Sequence, residues 1–152
     1  MLKLRVPDVN ELHALSLLCL RSKAYWGYDE DFMEACREVL TITAEDLNRD
    51  HVWVAEGPDG VVGVLQVQAC AKVTVLDKLF IDPDTIGMGA GRFLFEKAKE
   101  IARGYEPKIM TIDADPGAES FYTKMGAVTV DRVPSTVIEG RMLPFMHYDL
   151  ST

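Results

Sequence analysis

Three glycines at alternate positions, Gly87, Gly89 and Gly91, stand between an apolar run ending at Ile81 and a stretch with helical spacing. Glycine reaches positive φ without a Cβ penalty and lets a ligand lie against the backbone. The first amides of the following helix have no partners inside that helix. Aimed together at one spot, they carry the equivalent of about half a positive charge from the helix dipole. This is diphosphate-binding chemistry. Arg92, in the first turn, can add a point charge, and a solvated surface arginine fits the same position equally well.

Three kinds of nucleotide loop share such glycines, and a tight, ligand-free connection is the bland alternative. A P-loop needs Gly-Lys-Ser/Thr at the helix start, and Arg92-Phe93 follow Gly91, so that loop is excluded. A dinucleotide fold finds some support in Asp113, which ends a predicted strand about 20 residues after the glycines. Two features oppose it. Asp82 to Ile86 intervene where a dinucleotide turn is tight, and the run of strands before the loop looks antiparallel. A coenzyme A loop is the third kind.

The elements around the loop follow from periodicity and punctuation. Leu2, Leu4 and Val6 alternate with Lys3 and Arg5 as in a half-buried strand. Pro7 stops it, and Asp8 is placed to cap a helix running to about Lys23, with Leu12, Leu15 and Leu18 on its buried stripe. Asp29 can cap a second helix carrying Phe32, Cys36 and Leu40, and Thr43 to Asp46 read as a short capped turn. His51–Glu56 and Val61–Cys70 flank Gly57-Pro58-Asp59-Gly60, a hairpin signal, and Val73–Ile81 is the next strand. Ala90, Phe93, Leu94, Ala98, Ile101 and Ala102 then share one helix face up to Gly104. Lys108–Ile112 is a strand, Gly117–Met125 a short helix, and Val128–Val133 and Met142–Leu150 the closing strands. The order is β-α-α-β-β-β-α-β-α-β-β. With no repeat or linker, residues 1–152 form one α+β domain.

Composition narrows the function classes. An apolar fraction of 48% supplies a core and excludes disorder. A net charge of −8 argues against nucleic-acid or anionic-membrane binding. Cys19, Cys36 and Cys70 form no CxxC pair, and His13, His51 and His147 are scattered, so no metal site is expected. The thiols read as reduced and mostly buried, the apolar stretch Leu12–Leu20 is too short to span a bilayer, and a cytoplasmic location is the expectation.

Leu79–Phe95 resembles the central signature of the GNAT superfamily of N-acetyltransferases: a hydrophobic triplet ending a strand, then x-P-x-x-(Gln/Arg)-G-x-G-(Ile/Ala)-G and a helix. Leu79, Phe80, Ile81, Pro83, Gly87, Gly89, Ala90 and Gly91 match in place, while Ile86 stands where Gln or Arg is usual. Asp115–Ala127 is similar to the second signature, N-x-x-A-x-x-F-Y-x-x-x-G-F. Ala118, Phe121, Tyr122 and Gly126 keep its spacing, with Gly117 read in place of the Asn and Ala127 in place of the Phe. The resemblance implies the GNAT fold with a mixed, twisted sheet, and acetyl-CoA as acyl donor to an amine attacking directly. It implies coenzyme A contacts from Leu79, Phe80 and Ile81, from Ile86, Gly87, Met88, Gly89, Ala90, Gly91 and Arg92, and from Gly117, Ser120, Phe121 and Tyr122.

The same resemblance implies that the strand ending at Ile81 splays from its neighbour and that Tyr122 protonates the departing thiolate. Otherwise Tyr122 is a half-buried aromatic beside Phe121. Where many relatives carry a glutamate base, Val75 stands; Asp77, two residues on, and a bound water are equal contenders for the role of base. A bulge near the splay would change the face of Asp77. Tyr25, Trp26, Tyr28 and Arg141 are candidates for the acceptor pocket, or else cap the core. The expected partner is a small-molecule amine, with a homodimer left open. A non-catalytic acyl-CoA sensor of the same fold and, behind it, a dinucleotide-dependent enzyme are the other readings.

Overall fold

The computed structural model describes residues 1–151. Strand β1 (Lys3–Arg5) leads through a 3-10 turn (Val9–Glu11) into α1 (Leu12–Ala24), α2 (Glu30–Leu40) and α3 (Ala44–Arg49). Strands β2 (His51–Gly57), β3 (Gly60–Ala69) and β4 (Thr74–Ile81) precede α4 (Ala90–Arg103). Then come β5 (Ile109–Asp113), α5 (Glu119–Lys124), β6 (Val128–Pro134) and β7 (Met142–Asp149).

Local chemistry explains where this departs from the pattern read in the sequence. Asp8 caps the 3-10 turn rather than α1: its Oδ1 accepts from the Asn10 amide at 2.9 Å, and Glu11 Oε1 accepts from the Asp8 amide at 2.8 Å. Thr43 and Asp46 form a second reciprocal box, and Arg49 pairs with Asp46 at 2.8 Å. The expected turn therefore propagates into a full helix, α3, which the sequence order lacked. Asp29 caps α2 as expected, accepting from the Phe32 amide at 2.8 Å.

The sheet has the order β1-β2-β3-β4-β5-β7-β6. All neighbours are antiparallel except β4 and β5, which pair in parallel only at Thr74↔Met110 and Val75↔Thr111. Beyond Val75 the two strands part. A bulge contributes: Gln66 on β3 faces Lys78 while Val67 faces Leu76, leaving Asp77 as the extra residue on β4. Bulges bend and over-twist the strand that carries them. Meanwhile β5 stays in register with β7 from Ile109↔Asp149 to Asp113↔Phe145.

Each face of the sheet has its own core. On one, Leu94, Phe95, Ala98 and Ala102 of α4 pack with Leu65, Val67, Leu76, Met110, Ile112 and Met146, all buried. On the other, Leu12, Leu15, Leu18 and Cys19 of α1 and Cys36 and Leu40 of α2 cover Val52, Val54 and Val64. At about 1.5–3 kcal/mol for each large aliphatic or aromatic side chain fully buried, these layers hold α4 and α1 firmly on opposite sides of the splay.

Candidate active site

The parted ends of β4 and β5 open into a cleft of about 840 Å³. Its rim starts at the glycine loop. Asp82 ends β4 by capping a 3-10 turn (Pro83–Thr85), its Oδ1 accepting from the Asp84 amide at 3.1 Å. The chain then turns back through Gly87 at φ +103° and Gly89 at φ +79°, the latter standing as N-cap of α4. Around both, the place a Cβ would occupy is open space. Gly91 serves packing instead, since a methyl there would meet the Phe121 ring at 3.0 Å and its absence lets α5 approach α4. Arg92 is exposed on this rim and has no ion-pair partner among the described residues.

Opposite the loop, Tyr122 of α5 lies in the cleft wall with 6% of its surface exposed. Its ring packs near Phe95 and Phe121, at centroid distances of 6.1 and 5.2 Å. No hydrogen-bond partner for its hydroxyl occurs among the described residues. Burial, reinforced by the charge of Asp115, pushes the phenol's pKa up. The group is therefore a proton donor throughout the physiological range.

On the other side of the gap Asp77 sits on the bulge and pairs with its neighbour Lys78 at 2.9 Å. Strict strand alternation would send adjacent side chains to opposite faces; the bulge brings these two together. Lys78 is buried and donates also to Gln66 Oε1 at 3.1 Å, and Gln66 Nε2 donates to Asp50 at 2.8 Å. The Asp77 carboxylate is thus held from beneath while it faces the cleft.

Residues 22–149 match the family described as "Acetyltransferase (GNAT) domain". The chain belongs to the GNAT acetyltransferase family. Solved structures repeat its fold. A GCN5-related N-acetyltransferase from Rhodopseudomonas palustris superposes with a TM-score of 0.81 at 20% identity, covering 97% of this chain and 94% of the other. The PaiA N-acetyltransferase from Thermoplasma acidophilum, in complex with coenzyme A, gives 0.80 at 16% identity over 98% and 99%. The yncA protein of Salmonella typhimurium, with acetyl-CoA, gives 0.69 at 20% identity over 100% and 95%. At these identities the likeness is one of fold.

On this GNAT frame the residues picked from sequence divide. Leu79, Phe80, Ile81, Ile86, Gly87, Gly89, Ala90, Gly91, Arg92, Gly117, Ser120, Phe121 and Tyr122 all line the cleft, as do Asp77, Tyr25, Trp26 and Arg141. Met88 does not: its methyl lies toward Gly57, on the β2–β3 hairpin, so its side chain takes the loop's outer side. Trp26 is 50% exposed and packs on the second signature, where a methyl at Gly117 would meet its ring at 3.0 Å. Tyr28 is not in the cleft wall; it stacks on Phe32 at 4.0 Å behind it.

The reason is a half-buried knot around Asp115. Lys23 donates to Asp115 at 2.6 Å, the Tyr28 hydroxyl at 2.9 Å, the Gly117 amide at 2.8 Å and Arg141 at 3.4 Å, and Arg141 also donates to the Tyr28 oxygen at 2.6 Å. Counted back from Ala118, the second signature's leading Asn place falls on Asp115, whose carboxylate caps the turn, and not on Gly117. Burial raises the Asp115 pKa, but the hydrogen bond and charge of Lys23, with the Gly117 amide and Tyr28, outweigh it and leave the group below the ordinary carboxylate range. Burial and the hydrogen bond to Asp115 push Tyr28 up to about 12.

Asp115→Ala would leave Lys23 and Arg141 facing each other unneutralised. The pairs are half-buried, so the expected cost is about 1–3 kcal/mol, between that of an exposed and a fully buried pair. Because the folded pKa of Asp115 is depressed, its stabilisation is complete above the unfolded value and fades as pH falls through the folded one. The wild-type advantage in denaturant midpoint should therefore shrink as pH falls below the ordinary aspartate value of about 4; an advantage constant in acid would mean that the knot contributes packing rather than charge.

Proposed function

We propose that this chain transfers an acetyl group from acetyl-CoA to the primary amine of a small acceptor, by direct attack within a ternary complex. The observation that carries this reading is the gap between β4 and β5, with an anion cradle at one end and an unpartnered buried phenol beside it. The residues present fit coenzyme A. Unpaired first-turn amides of α4, the open space around Gly87 and Gly89, and the unpaired Arg92 suit a diphosphate. From Leu76 to Ile81 the edge of β4 turned away from β3 has no strand partner, so its backbone groups can pair with an amide-bearing arm.

Bound acetyl-CoA supplies the acyl group as a thioester. In this reading an amide near Ile81 polarises the carbonyl, Tyr122 protonates the departing sulfur, and Asp77 meets the incoming ammonium. Trp26, seated on Gly117, lines the same cleft. The antiparallel meander β2-β3-β4 ahead of the glycines does not suit a dinucleotide, whose loop follows the first strand of a parallel βαβ unit.

Calorimetric titration with acetyl-CoA and with NAD, followed by thiol release from acetyl-CoA across a panel of amines, tests the proposal. Saturable acetyl-CoA binding with amine-dependent thiol release is expected. Binding without release for any amine would make the protein a sensor, and NAD binding in its place would discard the reading.

A further inference from the structure

We propose that Asp113 is the base that removes the acceptor's ammonium proton, and that the acceptor is a primary amine with no carboxylate beside the reacting nitrogen. This rests on the acetyl-transfer reading above. The geometry comes from the register at the splay. Val75↔Thr111 is the last pair joining β4 to β5. Two residues further along each strand stand Asp77 and Asp113, and both line the cleft. Met110 and Ile112 are buried in the α4-side core, so alternation turns Thr111 and Asp113 to the α1 side, where the bulge also brings Asp77 and Lys78.

The two carboxylates differ in how they are held. Asp77 is tied to Lys78, whereas the Asp113 side chain has neither hydrogen bond nor ion pair among the described residues. An ion-paired carboxylate is a good anchor and a poor base; an unpaired one is the reverse. Asp113 is exposed at the cleft rim; partial loss of hydration there, then the charge of Asp77, pushes its pKa up, toward the range where a carboxylate accepts a proton more readily. An independent feature marks the same gap as a reaction site: Tyr122, a residue of the α4-side core with 6% of its surface exposed, lines it with a hydroxyl that has no hydrogen-bond partner among the described residues. A proton donor and a proton acceptor thus face the gap from its two sides.

The step balances as follows. The ammonium gives one proton to Asp113 and becomes an amine, whose lone pair forms the N–C bond while the C–S bond breaks. The sulfur takes the Tyr122 proton, and the second proton leaving nitrogen restores the phenol. Asp113 releases its proton to solvent, so one proton appears per turnover. Charge sets the substrate class. Asp77, Lys78 and Asp113 together leave one negative charge unmatched, enough for one ammonium. A carboxylate on the adjacent carbon would face both aspartates. Val39, Leu40, Phe80 and Val137 in the same wall suit an apolar body.

Matched pairs of acceptors and two variants test this. The full chain should acetylate 2-phenylethylamine with at least about tenfold higher kcat/KM than phenylalanine, the cost of placing one like charge near another in a partly dry site. Asp113→Asn should lose on the order of 10² in kcat without change in acetyl-CoA Kd, and Asp113→Glu should recover part of it. Asp77→Asn should instead raise the amine KM, by about tenfold. Equal use of phenylalanine, or wild-type kcat in Asp113→Asn while the wild type acetylates amines, overturns this inference and leaves acetyl transfer standing. A wild type that acetylates no amine at all overturns both.

Discussion

Gly89→Val should abolish acetyl-CoA binding in a protein that still folds. Gly89 is the N-cap of α4 at φ +79°, a conformation that a β-branched residue resists by more than the roughly 1–2 kcal/mol typical of L-residues. The space into which its Cβ would project is empty of protein atoms, and it is the space assigned to the diphosphate. The substitution therefore acts twice, by straining the turn that aims the first amides of α4 and by filling the cradle. Folding should survive because α4 is held by Leu94, Phe95, Ala98 and Ala102, one turn or more from the loop. A loss of at least about 10² in affinity is expected by titration, with a native circular dichroism spectrum. Unchanged affinity in the folded variant would remove the loop from the cofactor site.

The second large effect is on chemistry rather than binding. Tyr122→Phe should lower kcat on the order of 10² with acetyl-CoA affinity intact. The ring remains against Phe95 and Phe121, so packing is kept, and the lost hydroxyl had no protein partner to strand. Stability should be unchanged or slightly higher. A thiolate with a pKa near about 8.5 is a fair leaving group even unprotonated, which keeps the loss at the low end of general-acid effects. The raised phenol pKa carries a further consequence: wild-type Tyr122 stays protonated through neutral and mildly alkaline pH. The ratio of wild-type to variant kcat should then be flat from about pH 6 to 9. Wild-type kcat in the Phe variant would show that the proton comes from water or the acceptor.

Much of this site was legible because its signals are local. Spaced glycines between a strand and a helix constrain backbone φ within a few residues, and neither distance nor packing enters that inference. The same holds for the Ala118–Tyr122 spacing, since one face of a short helix is set by residues a turn apart. The direction of the Met88 side chain was not legible, because proximity in sequence says nothing about which side of a loop a side chain takes. Tyr28 is a related case. An aromatic at a helix break looks available until its hydroxyl is seen between Asp115 and Arg141, partners far away in sequence.

By itself, then, the sequence determined the glycine cradle, the place of the Tyr122 phenol on its helix, and the order of nearly all elements. Each depends on dihedral preference or periodicity over one element. Tertiary structure decided the rest. The bulge that sets Asp77 beside Lys78 exists only relative to the register of β3. The place of Asp113 opposite Asp77 exists only because β5 pairs with β4 for two residues and then leaves it. The knot that gathers Lys23, Tyr28 and Arg141 exists because the end of α1, the loop after it and the loop between β6 and β7 converge on one carboxylate. Pairing register and convergence are long-range properties, set by which cores bury together, and no window of sequence contains both partners.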